Sequence, residues 1–102
     1  MSKQDITFTP TSPRHEAALR IADTLQCLGL DDCYGISMER TADKQGRQHW
    51  SILFCKARTI DGIVRVYSDR YIQIVIDQRR GAQRFTSYLD AQRWLVREFA
   101  NV

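Results

Sequence analysis

Hydrophobic residues recur along this chain at two different periods, and the switch between the periods marks out its elements. Ala18, Ile21, Ala22, Leu25 and Leu28 fall three or four apart, the spacing that lines one face of a helix. Ser12 suits the N-cap, and Pro13 suits the first helical position, where its missing N–H costs nothing. Gly29 supplies a left-handed stop. A helix is therefore predicted over residues 13–28.

From Tyr34 the period falls to two. Tyr34, Ile36 and Met38 alternate with Gly35, Ser37 and Glu39, which predicts a half-buried strand. A polar run from Thr41 to Gly46 reads as a turn, with Gly46 supplying a positive φ. A second strand follows over residues 48–56, with Trp50, Ile52 and Phe54 on one face and His49, Ser51, Leu53 and Cys55 on the other. Asp61-Gly62 is expected to turn, Ile63 to Tyr67 to form a third strand, and Tyr71 to Asp77 a fourth. Ile72, Ile74 and Ile76 then oppose Tyr71, Gln73 and Val75. The β-branched residues favour strand over helix here.

Arg84-Phe85-Thr86 reads as a short extended piece. Ser87 caps a last helix over residues 88–100, with Asp90 three positions on. Ala91, Trp94, Leu95 and Phe99 line its apolar stripe. Residues 1–11 are expected to be a flexible tail or to add an edge strand through Ile6-Thr7-Phe8. The order predicts one α+β domain spanning residues 1–102. Its core is an antiparallel meander of about four strands, with an N-terminal and a C-terminal helix packed on one face.

Composition adds limits. With 43% hydrophobic and 10% aromatic residues, the chain can build a core, so global disorder is not expected. The strongest apolar run, Tyr71 to Ile76, is far short of the roughly 20 residues that cross a membrane. The first residues carry no apolar signal segment. The three cysteines, Cys27, Cys33 and Cys55, show no CxxC spacing and read as reduced thiols, so a cytoplasmic protein is expected.

The net charge of +3 is unevenly spread: residues 1–51 carry six Lys/Arg against seven Asp/Glu, and residues 52–102 nine against five. Most of the latter cations are arginines, which suit phosphates and carboxylates alike.

Enzyme signatures are missing. His15, His49 and the cysteines lack metal-ligand spacing, so neither a metal nor a cofactor is expected. Glycine-rich phosphate loops, GxSxG and HExxH do not occur. The aspartates at 31, 32, 61, 69 and 77 fall where turns use Asp for backbone hydrogen bonds. A non-enzymatic protein is expected.

Binding chemistry is better represented. Arg65, Tyr67, Tyr71 and Gln73 share one sheet face, with Arg70 at the β connection. Arg79, Arg80 and Arg84 add a basic loop. Arginine beside aromatic rings suits protein hot spots and also single-strand stacking. These eight residues are the expected partner-binding set. The expected partner is a protein or nucleoprotein complex; direct nucleic-acid binding through the same residues is the alternative, and a motif-less small enzyme or ligand-binding domain comes third. The same face, with Leu53 and Val75, is also able to close a homodimer.

In general shape the chain resembles small phage and mobile-element αβ proteins, a group that includes anti-CRISPR inhibitors. The likeness lies in its brevity, its meander, and the closing Phe85…Ser87…Trp94-Leu95 strand-to-helix segment. It implies an inhibitor that works by occupying a surface of its target.

Overall fold

The computed structural model describes residues 12–31, 35–56, 60–76 and 81–100. Helix α1 (Pro13–Cys27) is followed by strands β1 (Ser37–Ala42), β2 (Gln48–Lys56), β3 (Ile60–Ser68), β4 (Tyr71–Ile76) and β5 (Gln83–Phe85), then helix α2 (Tyr88–Phe99). The strands pair antiparallel in sequence order, β1-β2-β3-β4-β5. This is the predicted α+β meander, with a fifth strand where Arg84-Phe85 was expected to be merely extended.

Local chemistry sets the helix ends. The Ser12 hydroxyl accepts the His15 N–H at 3.0 Å, and Pro13 occupies the first turn. Gly29 leaves α1 at φ 73°. The Ser87 hydroxyl accepts N–H groups from Leu89 and Asp90. Both helices lie on the same side of the sheet. Ile21 and Leu25 of α1, with Ala91, Leu95 and Phe99 of α2, pack on Ile52, Phe54, Val64, Val66, Ile72 and Ile74. The two helices are tied to each other by Gln92, whose amide donates to Thr24 Oγ1 at 2.7 Å and to the Arg20 carbonyl at 3.2 Å. His15 stacks on Trp50, with ring centroids 5.0 Å apart, and fixes the start of α1 against β2.

Three expectations need correction. The first hairpin strand begins at Ser37, because Gly35 sits at φ 69°, a backbone conformation that does not continue a strand. It then runs through Ala42 into the stretch expected to turn, held by pairing with Gln48 and His49.

Asp61-Gly62 is not a turn. Both residues lie inside β3, with Gly62 opposite Phe54 on one side and Ile76 on the other. Glycine is required there because a Cβ would stand 2.5 Å from Phe54 Cζ and 2.7 Å from the Val75 carbonyl oxygen. The Phe54 ring fills the space that a side chain would need.

Finally, the cysteines are not all reduced. Cys27 is free and exposed, whereas Cys55 is disulfide-bonded; Cys33 and the Ile6-Thr7-Phe8 segment lie outside the described residues. Disulfides persist in oxidising surroundings, so the inference from reduced thiols to a cytoplasm loses its premise. No helix among the described residues is long and apolar enough to cross a membrane.

Gly62→Ala is expected to destabilise the fold by about 1–3 kcal/mol, the usual cost of overpacking, read by urea denaturation. The penalty should shrink in a Phe54→Leu background, since the ring is one of the two obstacles; an unchanged midpoint for Gly62→Ala would refute the close packing. Alkylation under denaturing, non-reducing conditions should label Cys27 and spare Cys55, and labelling of Cys55 would refute the disulfide.

Candidate functional site: the helix-free face of the sheet

Strand side chains alternate between faces, so what the helices leave uncovered follows from register. Three rows cross the helix-free face. Leu53, Ile63 and Val75 form an apolar row that ends in Ser37 on β1. Glu39, Ser51, Arg65, Gln73 and Arg84 form a polar and charged row spanning all five strands. Thr41 and His49, with Tyr67 and Tyr71, form an aromatic row beyond it.

The aromatic row is shaped by a β-bulge. Val66 pairs with Ile72, but Ser68 pairs with Tyr71, which leaves Tyr67 as the extra residue. A bulge re-aims its side chain and sharpens the local twist. Here it sends the Tyr67 hydroxyl to Asp43 Oδ2, at 3.2 Å, in the β1–β2 turn.

Asp43 organises that turn. Its Oδ1 accepts the backbone N–H groups of Gln45 and Arg47, both at 2.9 Å, and its Oδ2 also accepts Arg47 Nε at 2.9 Å. The turn closes with Gly46 at φ 81°, its N–H donating to the Asp43 carbonyl. Arg47 then lies 5.2 Å from the centroid of the Tyr67 ring. His49 flanks Tyr67 from β2 at 4.7 Å, and Tyr71 flanks it from β4 at 5.2 Å. Gln73 donates its amide to the Tyr71 hydroxyl at 2.7 Å. His49 is 4% exposed although it lies on the uncovered face; the tyrosine covers it.

These contacts move two titrations. Desolvation of the Asp43 carboxylate raises its pKa, but the hydrogen bonds from Arg47, Gln45 and Tyr67 together outweigh it and leave the group below its ordinary 3.8. Desolvation raises the Tyr67 phenol above 10.0; the bond to the Asp43 carboxylate and its negative charge add to that, while Arg47 and Arg65 oppose it.

The turn and the two rows enclose a shallow depression of about 640 Å³, bordered by Lys44, Arg47, His49, Arg65, Tyr67 and Gln73. Arg65 is half-buried, and no carboxylate reaches it among the described residues. Guanidinium donors in such a position accept planar anions well. Among the described residues no group of three or more metal-ligating side chains converges.

Of the expected binding residues, the sheet brings Arg65, Tyr67, Tyr71, Gln73 and Arg84 onto one face. Arg70 sits apart, in the exposed β3–β4 turn. Arg79 and Arg80 lie outside the described residues. Sequence reasoning missed Asp43 and Arg47. Their signal was the four-residue spacing around Gly46, a side-chain-closed turn in a run read only as polar.

The chain matches no family model, no curated protein and no solved structure.

Asp43 stabilises the turn in its charged form. Its folded pKa is depressed, so that contribution is present above the unfolded value and lost as pH falls through the folded one. Asp43→Asn should lower the denaturation midpoint at pH 7, and the difference from wild type should close below the ordinary 3.8. A gap that persists in acid would show that the charge is not what the turn uses.

Proposed function

We propose that the protein is a non-enzymatic binding protein that occupies a surface on a protein or nucleoprotein partner through its helix-free sheet face. The observation that carries this is the state of the aromatic row. A platform for single-stranded nucleic acid needs ring faces open to bases. Tyr67 is instead flanked by His49 and Tyr71 and overlaid by Arg47. These contacts occupy the Tyr67 ring instead of leaving it open to a base. Across the charged row from these rings lies an apolar row in which Leu53 is 45% exposed and Ile63 and Val75 are half-buried. An apolar strip bordered by Arg side chains, with aromatic rings one row further on, has the composition of a protein interface centre.

An inhibitor of the anti-CRISPR type is the form of this reading suggested by the small meander-and-helix architecture. Such a protein works by steric occupancy and needs no reactive group.

Leu53 and Arg84 are both exposed, so changing them should leave the core intact. A tagged chain carrying Leu53→Asp and Arg84→Glu should lose whatever partner the wild-type chain captures from a native lysate, while Arg97→Ala on the helix side should keep it. Capture that survives the double change would refute the sheet face as the contact. Retention of nucleic acid alone, falling steeply with salt, would favour direct nucleic-acid binding.

A further inference from the structure

A docking surface selects its occupant by charge as well as by shape, and the charges on this face are unequally spoken for. Asp43 is neutralised within the face by Arg47 and the Tyr67 hydroxyl. What remains along the charged row and its rim is Arg65 at the centre, Arg84 toward β5, Lys44 at the rim and the carboxylate of Glu39 on β1; the face's other carboxylate, Asp61, lies across the apolar row from Arg65 and has an interaction of its own. None of Arg65, Arg84, Lys44 and Glu39 has an ion-pair partner among the described residues.

Register gives the spacing. Glu39 pairs with Ser51, Ser51 with Arg65, Arg65 with Gln73, and Gln73 with Arg84. Neighbouring strands lie about 4.8 Å apart. Arg65 therefore stands about 10 Å from Arg84 on one side and from Glu39 on the other, counted as two strand spacings. One pleat along the strands, about 7 Å away, runs the apolar row of Leu53, Ile63 and Val75.

We propose that the occupant of this face is an acidic, partly apolar segment of a partner protein. Its carboxylates seat on Arg65 and Arg84, and its apolar side chains lie along Leu53, Ile63 and Val75. The inference rests on reading the helix-free face as the docking surface and adds the chemistry of what docks there.

The charge pattern favours carboxylates over a phosphate chain. A nucleic-acid strand carries a charge at every nucleotide and needs a continuous basic track. Here the row ends in Glu39, and the aromatic rings beside it are already engaged. A polypeptide can place acids at two points, leave the Glu39 end neutral or basic, and fill the apolar strip. A half-buried guanidinium also gains more from a carboxylate than an exposed one, because it is screened less.

The test titrates the isotope-labelled full chain with four probes: a Glu/Leu peptide, its Gln/Leu and Lys/Leu counterparts, and an oligo(dT) of the same net charge as the first. The Glu/Leu peptide is expected to shift the amides of Ser51, Arg65, Gln73 and Arg84. Arg65→Gln should weaken it by roughly tenfold, the scale of one close charge pair. Arg65→Glu should lose the Glu/Leu peptide and gain a Lys/Leu one; the same spectra report whether each variant is folded.

Equal binding of the Gln/Leu peptide, tighter binding of oligo(dT) at the same amides, or shifts centred on Arg20, Arg93 and Arg97 would each overturn the proposal, as would no shift at all. If partner capture is lost with Leu53→Asp yet indifferent to Arg65→Gln, the docking face stands and the acidic occupant falls. If capture ignores both, the docking face falls as well.

Discussion

Five antiparallel strands at about 4.8 Å spacing make a sheet about 19 Å across, and two helices, each about 10 Å wide, cover that width once. Both helices of this chain lie on the same face. Their placement follows from the alternation in β2, β3 and β4, which puts Ile52, Phe54, Val64, Val66, Ile72 and Ile74 all on one side. Nothing helical is left for the other side among the described residues. The helix-free face is thus the geometric remainder of the core: burying one set of alternate residues under a full helical layer exposes the other set as a surface five strands wide.

An exposed sheet invites wrong partners, and the edge strand is guarded against one of them. β1 has no neighbour beyond it among the described residues, so its outer edge is open to pairing with a second copy. Two antiparallel copies of one strand, related by a twofold axis, bring a residue opposite itself. In β1 the central positions are Glu39 and Arg40. Either central register therefore sets like charges face to face, which is destabilising. These like charges oppose pairing of β1 with its own copy.

Period-two alternation makes the face legible in the sequence itself. β2 keeps its expected bounds, and β4 its expected start, because Ile and Val at alternate positions leave no competing reading. The same alternation put Arg65, Tyr67, Tyr71 and Gln73 together. It failed where a local signal and a tertiary demand use the same residues. Asp61-Gly62 carries a turn signature, yet Gly62 is a strand residue because Phe54 lies over it. Arg40 to Ala42 carry no apolar pattern, since an edge strand with an exposed face is held by backbone pairing. Asp43 and Tyr67 are 24 residues apart, and no spacing rule links a turn carboxylate to a phenol two strands away.

That long-range link borders the depression on this face. Without the bulge, Tyr67 would pair squarely across β4 and stand among its neighbours. With it, the ring leans toward the β1–β2 turn, where Asp43 receives its hydroxyl and Arg47 covers it. The turn residues Asp43, Lys44 and Arg47 and the charged row line one depression together. Arg65, on the same strand one alternation before the bulge, is left facing into that depression with its donors unused by any carboxylate among the described residues. The irregularity that costs β3 a ladder position is therefore what separates the residues of the face into two roles. Asp43, Arg47 and Tyr67 satisfy one another, while Arg65 and Arg84 have no ion-pair partner among the described residues.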